Sequence, residues 1–409
     1  MNAIAPVSGF LTRYENSRAD LPGHETARHN AATLLTAHGL PVPRDEAWKY
    51  TNLRPLNGLV FADTAAAVDL PPLGAFADHP RLVFACGKFC ETQSRLPSGV
   101  TFTRFADAAV AEPAANDQIA ALNMLLAEDG IFVDVPAGHD AGTLLLISLG
   151  AQADAQAVSF HPRHGITLGN NARLQLIEIF VGSATYVNNP RLTISLADHA
   201  QLDHVRVQAD SKTSFHLARI EADIAANARY DLFCLHVGAR LARTEVFATL
   251  SGANAHASVN AAQKLGGIQH GDFTSVIRHR APNTRSRQTV KNVLDDESRA
   301  VFQGRIEVAR IAQKTDGYQM NQTLLLSPRA EIDCKPELEI CADDVKCSHG
   351  ATVGALDDEH IFYLRSRGIG LDQARAMLTS AFLQESLNDV ADEAVRNWLS
   401  EILSRGDYS

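Results

Sequence analysis

Residues 170–176 read NNARLQL, and closely related stretches follow them at a nearly constant interval. These are DHAQLDH at 198–204, ANARYDL at 226–232 and, less closely, ANAHASV at 253–259. The aligned alanines, 172, 200, 228 and 255, lie 28, 28 and 27 residues apart. A strand-like run precedes each of the last three stretches, so one period holds two short strands. A fixed period of this size is typical of stacked coils and predicts a β-solenoid. A β-sandwich, whose strands also recur at short intervals, is the alternative.

The chain divides into four predicted regions around this repeat. Residues 1–58 form an N-terminal helical region and residues 59–141 a mixed α/β connecting region. Residues 142–355, in which short apolar runs alternate with turns, form the solenoid core. Residues 356–409 form a C-terminal helical module. The sequence therefore predicts a mainly β protein flanked by helices at both ends.

Two apolar stripes at helical spacing support the C-terminal module. They consist of Ala374, Met377, Leu378, Ala381 and Phe382, and of Val395, Trp398, Leu399, Ile402 and Leu403. Both follow the i, i+3, i+4, i+7, i+8 pattern of an amphipathic helix. Such stripes either pack inside the protein or form a docking face for a partner.

Composition excludes several classes of function. The formal charge of −10 argues against nucleic acid as the main partner, because phosphate binding needs clustered Lys and Arg. No apolar run approaches the roughly 18–20 residues of a membrane span, and the first residues do not resemble a secretory signal. The 6 cysteines are sparse and irregularly spaced, which predicts free thiols in a reducing cytoplasm.

The common catalytic motifs are missing from the sequence. No Gly-x-x-x-x-Gly-Lys-Ser/Thr loop, dinucleotide glycine motif, Gly-x-Ser-x-Gly or His-Glu-x-x-His occurs. There are no closely spaced cysteines of the kind that hold a permanent iron–sulfur cluster. We therefore expect a protein that is not an enzyme by itself and that does not hydrolyse nucleotide.

Cys347 and His349 are the best candidates for chemistry. Residues two apart on a strand face the same way, so one thiolate and one imidazole could approach a single metal such as iron or zinc. Two ligands are too few to hold a metal tightly, so a partner chain or a transient cluster would have to supply the others. The alternative is a packed thiol and an imidazole bonded to a backbone carbonyl.

Several strings in the last third of the chain carry a family resemblance. They are RSRQ at 285–288, FQGR at 302–305, QKTD at 313–316, LLLSP at 324–328, KPELEI at 335–340, DDVKCSHGATVG at 343–354 and FYLRSRGI at 362–369. With EAWKYT at 46–51, they resemble the SufB/SufD family of iron–sulfur cluster assembly proteins. Chain length, the EAWKYT string and the position of His349 favour the SufD branch.

The resemblance implies a right-handed parallel β-helix that works in a complex. The implied partners are a SufB-like paralogue, paired along the β-helix, and a SufC-like ABC ATPase that supplies ATP hydrolysis. The C-terminal helices would dock the ATPase through Phe362, Met377, Leu378 and Phe382. A homodimer of the isolated chain is a further possibility that stays open.

The resemblance also implies where the chemistry lies. His349 occupies the position of a SufD residue important for cluster assembly, and Cys347 is carried over beside it. The implied cofactor is a transient iron–sulfur cluster shared with the partner subunit, with none bound tightly to the isolated chain. Two other hypotheses stay open at this point. The chain could be a purely structural adaptor in that complex, or a β-helix enzyme acting on polysaccharide.

Overall fold

Two long sheets wind together into a parallel β-solenoid that has helices packed against its outside. This arrangement is seen in a computed structural model that describes residues 7–62, 69–110, 114, 117–151, 156–406 and 408. The predicted mainly β solenoid with flanking helices is confirmed, and the β-sandwich alternative is wrong.

The described residues form six α-helices and twenty-one strands. The helices are α1 (Ser8–Ser17), α2 (Glu25–His38), α3 (Gln118–Leu126), α4 (Asp358–Ser366), α5 (Leu371–Gln384) and α6 (Glu393–Arg405). The first strands are β1 (Arg81–Ala85), β2 (Lys88–Phe89), β3 (Thr101–Arg104), β4 (Ile131–Val135), β5 (Asp140–Gly150), β6 (Val158–Phe160), β7 (Arg163–Leu168), β8 (Arg173–Gly182), β9 (Tyr186–Asn188) and β10 (Arg191–Leu196). The remaining strands are β11 (Gln201–Ala209), β12 (Phe215–Ile224), β13 (Arg229–His236), β14 (Leu241–Leu250), β15 (His256–Leu265), β16 (His270–His279), β17 (Arg285–Leu294), β18 (Arg299–Val308), β19 (Asp316–Leu325), β20 (Glu331–Ile340) and β21 (Lys346–Gly354).

Alternate strands enter alternate sheets. One sheet has 10 strands in the order β2-β1-β5-β8-β11-β13-β15-β17-β19-β21. The other has 11, with β20-β18-β16-β14-β12-β10-β7-β4-β3 as its main path and β6 and β9 beside it. From β7 and β8 onward, pairing along each main path is parallel and in register, as in β16 with β18. Each coil therefore places equivalent residues in columns, and the two sheets enclose an interior that we call the lumen.

The repeated stretches at residues 170–259 mark one corner of each coil. Asn171, Asn227 and Asn254 all have positive φ, between 58° and 61°. Asparagine tolerates this left-handed conformation better than most residues because its short side chain can bond locally. The alanine that follows each turn is almost fully buried, so a larger side chain would have no room there. The Asn-Ala pair thus combines a turn residue with a residue that packs inside the corner.

The N-terminal helices pack on the outer face of the eleven-stranded sheet. α1, α2 and α3 share an apolar cluster with Phe215, Leu217 and Leu241 of that sheet. Helix α2 confirms the predicted N-terminal helix. It is followed by Gly39, whose φ is 69°. The Arg28 guanidinium donates to several carbonyls around the end of α3, including that of Ala127 at 2.7 Å.

Trp48 anchors the segment that follows α2 to the solenoid. Its ring is buried, and the Arg243 guanidinium lies 4.0 Å from the ring centroid. Arg243 also donates to the Ala47 carbonyl at 2.8 Å and forms an ion pair with the buried Asp272. Trp48 therefore anchors this stretch to the solenoid by packing.

The C-terminal helices α5 and α6 pack on the outer face of the ten-stranded sheet. Val395, Leu399, Ile402 and Leu403 are buried there, so the predicted α6 stripe is confirmed except for a half-buried Trp398. Helix α4 has no buried residues. Among the described residues, no helix is long and apolar enough to cross a membrane.

A charged cluster lies inside the lumen. Glu178 forms an ion pair with Arg206 and accepts from His204 Nε2 at 2.9 Å. Arg206 also donates to His216 Nε2 at 3.1 Å, and its guanidinium lies 4.1 Å from the Phe180 ring centroid. All of these side chains are almost completely buried. Buried charges of this kind are tolerated only when they are paired.

Candidate functional site

The solenoid ends abruptly at β20 and β21, and we call this end the open end. Among the described strands, each of these pairs with a neighbour on one side only, β20 with β18 and β21 with β19. The residues of β21 are mostly exposed, whereas those of strands deeper in the same sheet are mostly buried. The open end therefore presents unpaired backbone N–H and C=O groups to the surroundings.

Cys347 and His349 both lie on β21. Their register partners on β19 are Gly317 and Gln319, and the Gln319 side chain is fully buried in the lumen. Because side chains alternate along a strand, Cys347 and His349 lie on the lumenal side of the last coil. His349 is exposed, since β21 is the last described strand at this end of its sheet.

Cys347 is half-buried and packs against an apolar group that includes Ile306 and Val308. Burial raises the pKa of its thiol, while a hydrogen bond from the Gly317 backbone acts in the opposite direction. The thiol form is therefore favoured in the isolated chain, and a metal or a nearby cation would be needed to favour the thiolate.

Cys347 and His349 are two potential metal ligands on one strand, but two ligands do not complete the coordination of a metal ion. Among the described residues, no group of three or more His, Cys, Asp or Glu side chains is placed to hold a metal ion. Cys347 and His349 could contribute to a metal or a cluster only together with ligands from another molecule.

The lumen beneath the open end is polar, which the sequence did not reveal. The Gln263 amide donates to Asn292 at 2.9 Å, and Asn292 donates to Asn321 at 2.8 Å and to Thr323 at 2.9 Å. These hydrogen bonds link three consecutive coils. An Asn or Gln in a strand normally indicates a solvent-facing position, so only the column arrangement identifies them as lumenal.

On the outer face of the same strands lies a cavity of about 570 Å³. Its lining includes Lys346, Ser348 and Tyr318. Arg287 and Asp316, which form a 2.9 Å ion pair, also line it. The cationic stretch at 278–287 thus forms ion pairs with nearby acids, including this one.

An apolar surface on α4 and α5 is the second candidate site. Phe362 is 74% exposed, Tyr363 57% and Met377 46%, which is unusual for large apolar side chains. We call these three residues the α4–α5 patch. A cavity of about 750 Å³, lined in part by Met377 and Ile361, lies beside it.

The other two residues predicted to contact the partner are less exposed than Phe362 and Met377. Leu378 and Phe382 are half-buried, and the Phe382 ring lies 4.4 Å from the Lys291 ammonium of β17. The buried side of α5 consists of Ala374, Thr379 and Leu383, so it is rotated from the predicted stripe. Phe382 thus packs against the solenoid, and Met377 is left to solvent.

Comparison with known proteins gives consistent matches. A family model described as SUF system FeS cluster assembly, SufBD core domain, matches residues 151–382. The iron-sulfur cluster assembly protein SufD of Escherichia coli (strain K12) is 34% identical over 381 residues, which cover 91% of this chain and 89% of that protein.

Two further relatives differ in how much of the chain they cover. An iron-sulfur cluster assembly SufBD family protein of Synechocystis is 32% identical over 410 residues, covering 92% of this chain and 90% of its own length. The chloroplastic protein ABCI7 of Arabidopsis thaliana is 36% identical over 173 residues, covering 42% and 36%. A family model thus matches more than half of the chain, and two relatives align with nearly all of it. The chain therefore belongs to the SufBD family of iron–sulfur cluster assembly proteins and is most like SufD.

Proposed function

We propose that this chain is a non-catalytic scaffold subunit for iron–sulfur cluster assembly, which pairs with a SufB-like paralogue through the open end. The unpaired strands β20 and β21 are the observation that supports this most. Exposed edge strands readily pair with strands of another chain. Ile340 and Val353, which are 40% and 53% exposed, would be covered by such a partner.

The nascent cluster would be cargo held between the two subunits. Cys347 and His349 lie at the open end, and together they offer one soft and one borderline ligand. Their incomplete set suits a cluster that must later leave, because fewer ligands from one chain hold it less tightly. We expect assembly in the reducing cytoplasm, since all of the cysteines are free thiols.

We further propose that the α4–α5 patch docks a SufC-like ABC ATPase. The chain has no phosphate-binding loop, so ATP hydrolysis would come from that partner. An exposed Phe on a helix without buried residues, next to an exposed Met on the neighbouring helix, is typical of a docking surface. Helix α4 contributes nothing to the core, so partner binding accounts for its apolar residues better than folding does.

Ile340→Lys is expected to weaken pairing with the SufB-like subunit by about tenfold or more, because it places a charge inside the covered edge. Phe102→Lys is the matched control. Phe102 is also 40% exposed and lies on β3, the edge strand at the opposite end of the same sheet. Light scattering after gel filtration would measure the heterodimer. Equal loss of pairing in both variants, or in neither, would contradict pairing through the open end.

Phe362→Asp is expected to weaken binding of the SufC-like ATPase by about tenfold or more, since an exposed aromatic anchor would be replaced by a charge. Calorimetric titration with the ATPase would measure the affinity. Val60→Asp is the control, because Val60 is 62% exposed on the N-terminal side of the molecule. An unchanged affinity for the Phe362 variant would remove the α4–α5 patch from the interface.

A further inference from the structure

The outer face of β20, at the open end, is strongly acidic. Side chains alternate along a strand, and Cys334 packs against the apolar cluster of the lumen, so the odd-numbered residues of β20 lie on the outer face. Four of these five side chains are carboxylates and one is an ammonium, which gives a net charge of −3. We call them the acidic row, and they are Glu331, Asp333, Lys335, Glu337 and Glu339.

Two arginines pair with acids of this row from behind. Arg299 pairs with Asp333, and Arg305 lies 3.2 Å from Glu337. Both arginines are on β18, one coil deeper in the solenoid. Because β20 is the last described strand of its sheet, no strand beyond it carries a compensating cation. A chain that approaches the open end along β20 therefore meets the carboxylates first.

Glu339 is the least compensated acid of the row. Its register partner on β18 is another carboxylate, Glu307. Glu307 already pairs with Arg278 at 3.1 Å and with Arg280 at 3.0 Å, both from the coil below. The ion pairs of the described residues do not include Glu339, and its side chain is exposed. Its charge is thus available to a partner.

A second copy of the chain would present the same row. In the antiparallel register centred on Lys335, each acid of one copy lies opposite an acid of the other, as Glu331 does opposite Glu339. Like charges placed directly opposite destabilise a pair of strands. Pro336, in the middle of β20, has no backbone N–H. Charges and proline are both features by which edge strands avoid unselective pairing.

We propose that the acidic row selects the partner of the open end. It disfavours a second copy of this chain along β20, and it favours a paralogue whose facing strand carries Lys and Arg. Complementary charge across an interface speeds encounter, and like charge suppresses the wrong partner. The neighbouring Ile340 cannot make this distinction, because an apolar contact suits either chain. This inference rests on the proposed function of the open end.

Glu339→Lys tests the inference, because Glu339 has no described ion pair to lose. Asp134→Lys is the matched control: it makes the same change in charge at an exposed position on β4, near the opposite end of the same sheet. Stopped-flow mixing with the purified SufB-like paralogue would measure the association rate at low and high salt. Analytical ultracentrifugation of the isolated chain would measure self-association under the same conditions.

At about 50 mM salt we expect Glu339→Lys to associate with the paralogue about fivefold more slowly than Asp134→Lys, and to self-associate about fivefold more tightly. Both differences should shrink at about 500 mM salt, where exposed charges are screened. Wild-type association should also slow as salt is added. Equal rates and equal self-association of the two variants at low salt would overturn the inference, as would wild-type association that speeds up with salt.

Failure of this inference differs from failure of the proposed function. If Ile340→Lys weakens pairing while Glu339→Lys behaves like Asp134→Lys, the open end is the interface but the acidic row does not select the partner. If neither Ile340→Lys nor Glu339→Lys alters pairing with the paralogue, the proposed function fails and selection of the paralogue fails with it. Self-association then still decides whether the row keeps two copies apart.

Discussion

Arg206→Met is expected to lower the free energy of unfolding by about 3–5 kcal/mol, because it leaves a buried carboxylate without its cation. Arg206 and Glu178 are each about 1% exposed, so water cannot replace the lost partner. His204 would remain the only described hydrogen-bond donor to Glu178. The lost stacking of the guanidinium on Phe180 adds to the effect.

Urea unfolding would measure the loss, and two further variants define its cause. In the double variant Glu178→Met/Arg206→Met we expect most of the stability to return, since no charge is then left buried. Lys314→Met removes a surface ion pair with Asp344 whose side chains are 67% and 71% exposed, and should cost less than about 1 kcal/mol. A cost for Arg206→Met as small as that for Lys314→Met would show that the lumenal pair does not hold the coils together.

The same pair predicts the direction of a pH effect. Burial alone would raise the pKa of Glu178, but the Arg206 guanidinium and the His204 hydrogen bond outweigh it and lower that pKa to about 2. The unfolded carboxyl has a pKa of about 4.3, so the unfolded chain takes up this proton first as the pH falls. The stability from this pair is present above about pH 4.3 and is lost toward pH 2. The stability gap between wild type and Arg206→Met should therefore narrow below about pH 5.

The solenoid could be predicted because its repeat is local in sequence. A left-handed turn residue followed by a small buried residue recurs once per coil, and the two requirements leave a visible Asn-Ala pattern. Beyond residue 255 the same corner is filled by Thr284 and Thr315, whose hydroxyls lie 3.2 Å apart. The alanine pattern stops there, although the coils continue.

Helix α3, in contrast, could not be predicted from a local sequence pattern. All of its residues after Gln118 are buried, so it lacks the polar face that reveals an amphipathic helix. In α5 the sequence pattern predicted an apolar stripe, but the helix is rotated so that Met377 is exposed and Thr379 is buried. An apolar pattern cannot distinguish residues covered by their own chain from residues left for a partner.

For the candidate site, strand alternation was enough to place Cys347 and His349 on one side of a strand. That Gln319 and His349 are neighbours depends on the register between coils, because the two residues are 30 positions apart in sequence yet directly paired in the sheet. No local pattern carries that information. The lumenal polar column was missed for the same reason.

His349→Ala is expected to reduce the iron and sulfide held by the assembled complex by about tenfold or more, because under the proposed function it removes a ligand from an already incomplete set. The substitution should leave the fold intact, since His349 is exposed and makes no described hydrogen bond. Ser348→Ala is the matched control, because the adjacent residue points to the outer face of the same strand. Thermal unfolding of each variant would confirm that stability is unchanged.

The most direct test of the account is the iron and sulfide content of anaerobically purified complexes with SufB-like and SufC-like partners, at matched subunit stoichiometry. We expect wild type and Ser348→Ala to carry equal amounts, and His349→Ala to assemble normally but carry little of either. Equal iron and sulfide in all three complexes would contradict a ligand role for His349. The chain would then be a structural adaptor, with the cluster ligands on its partner.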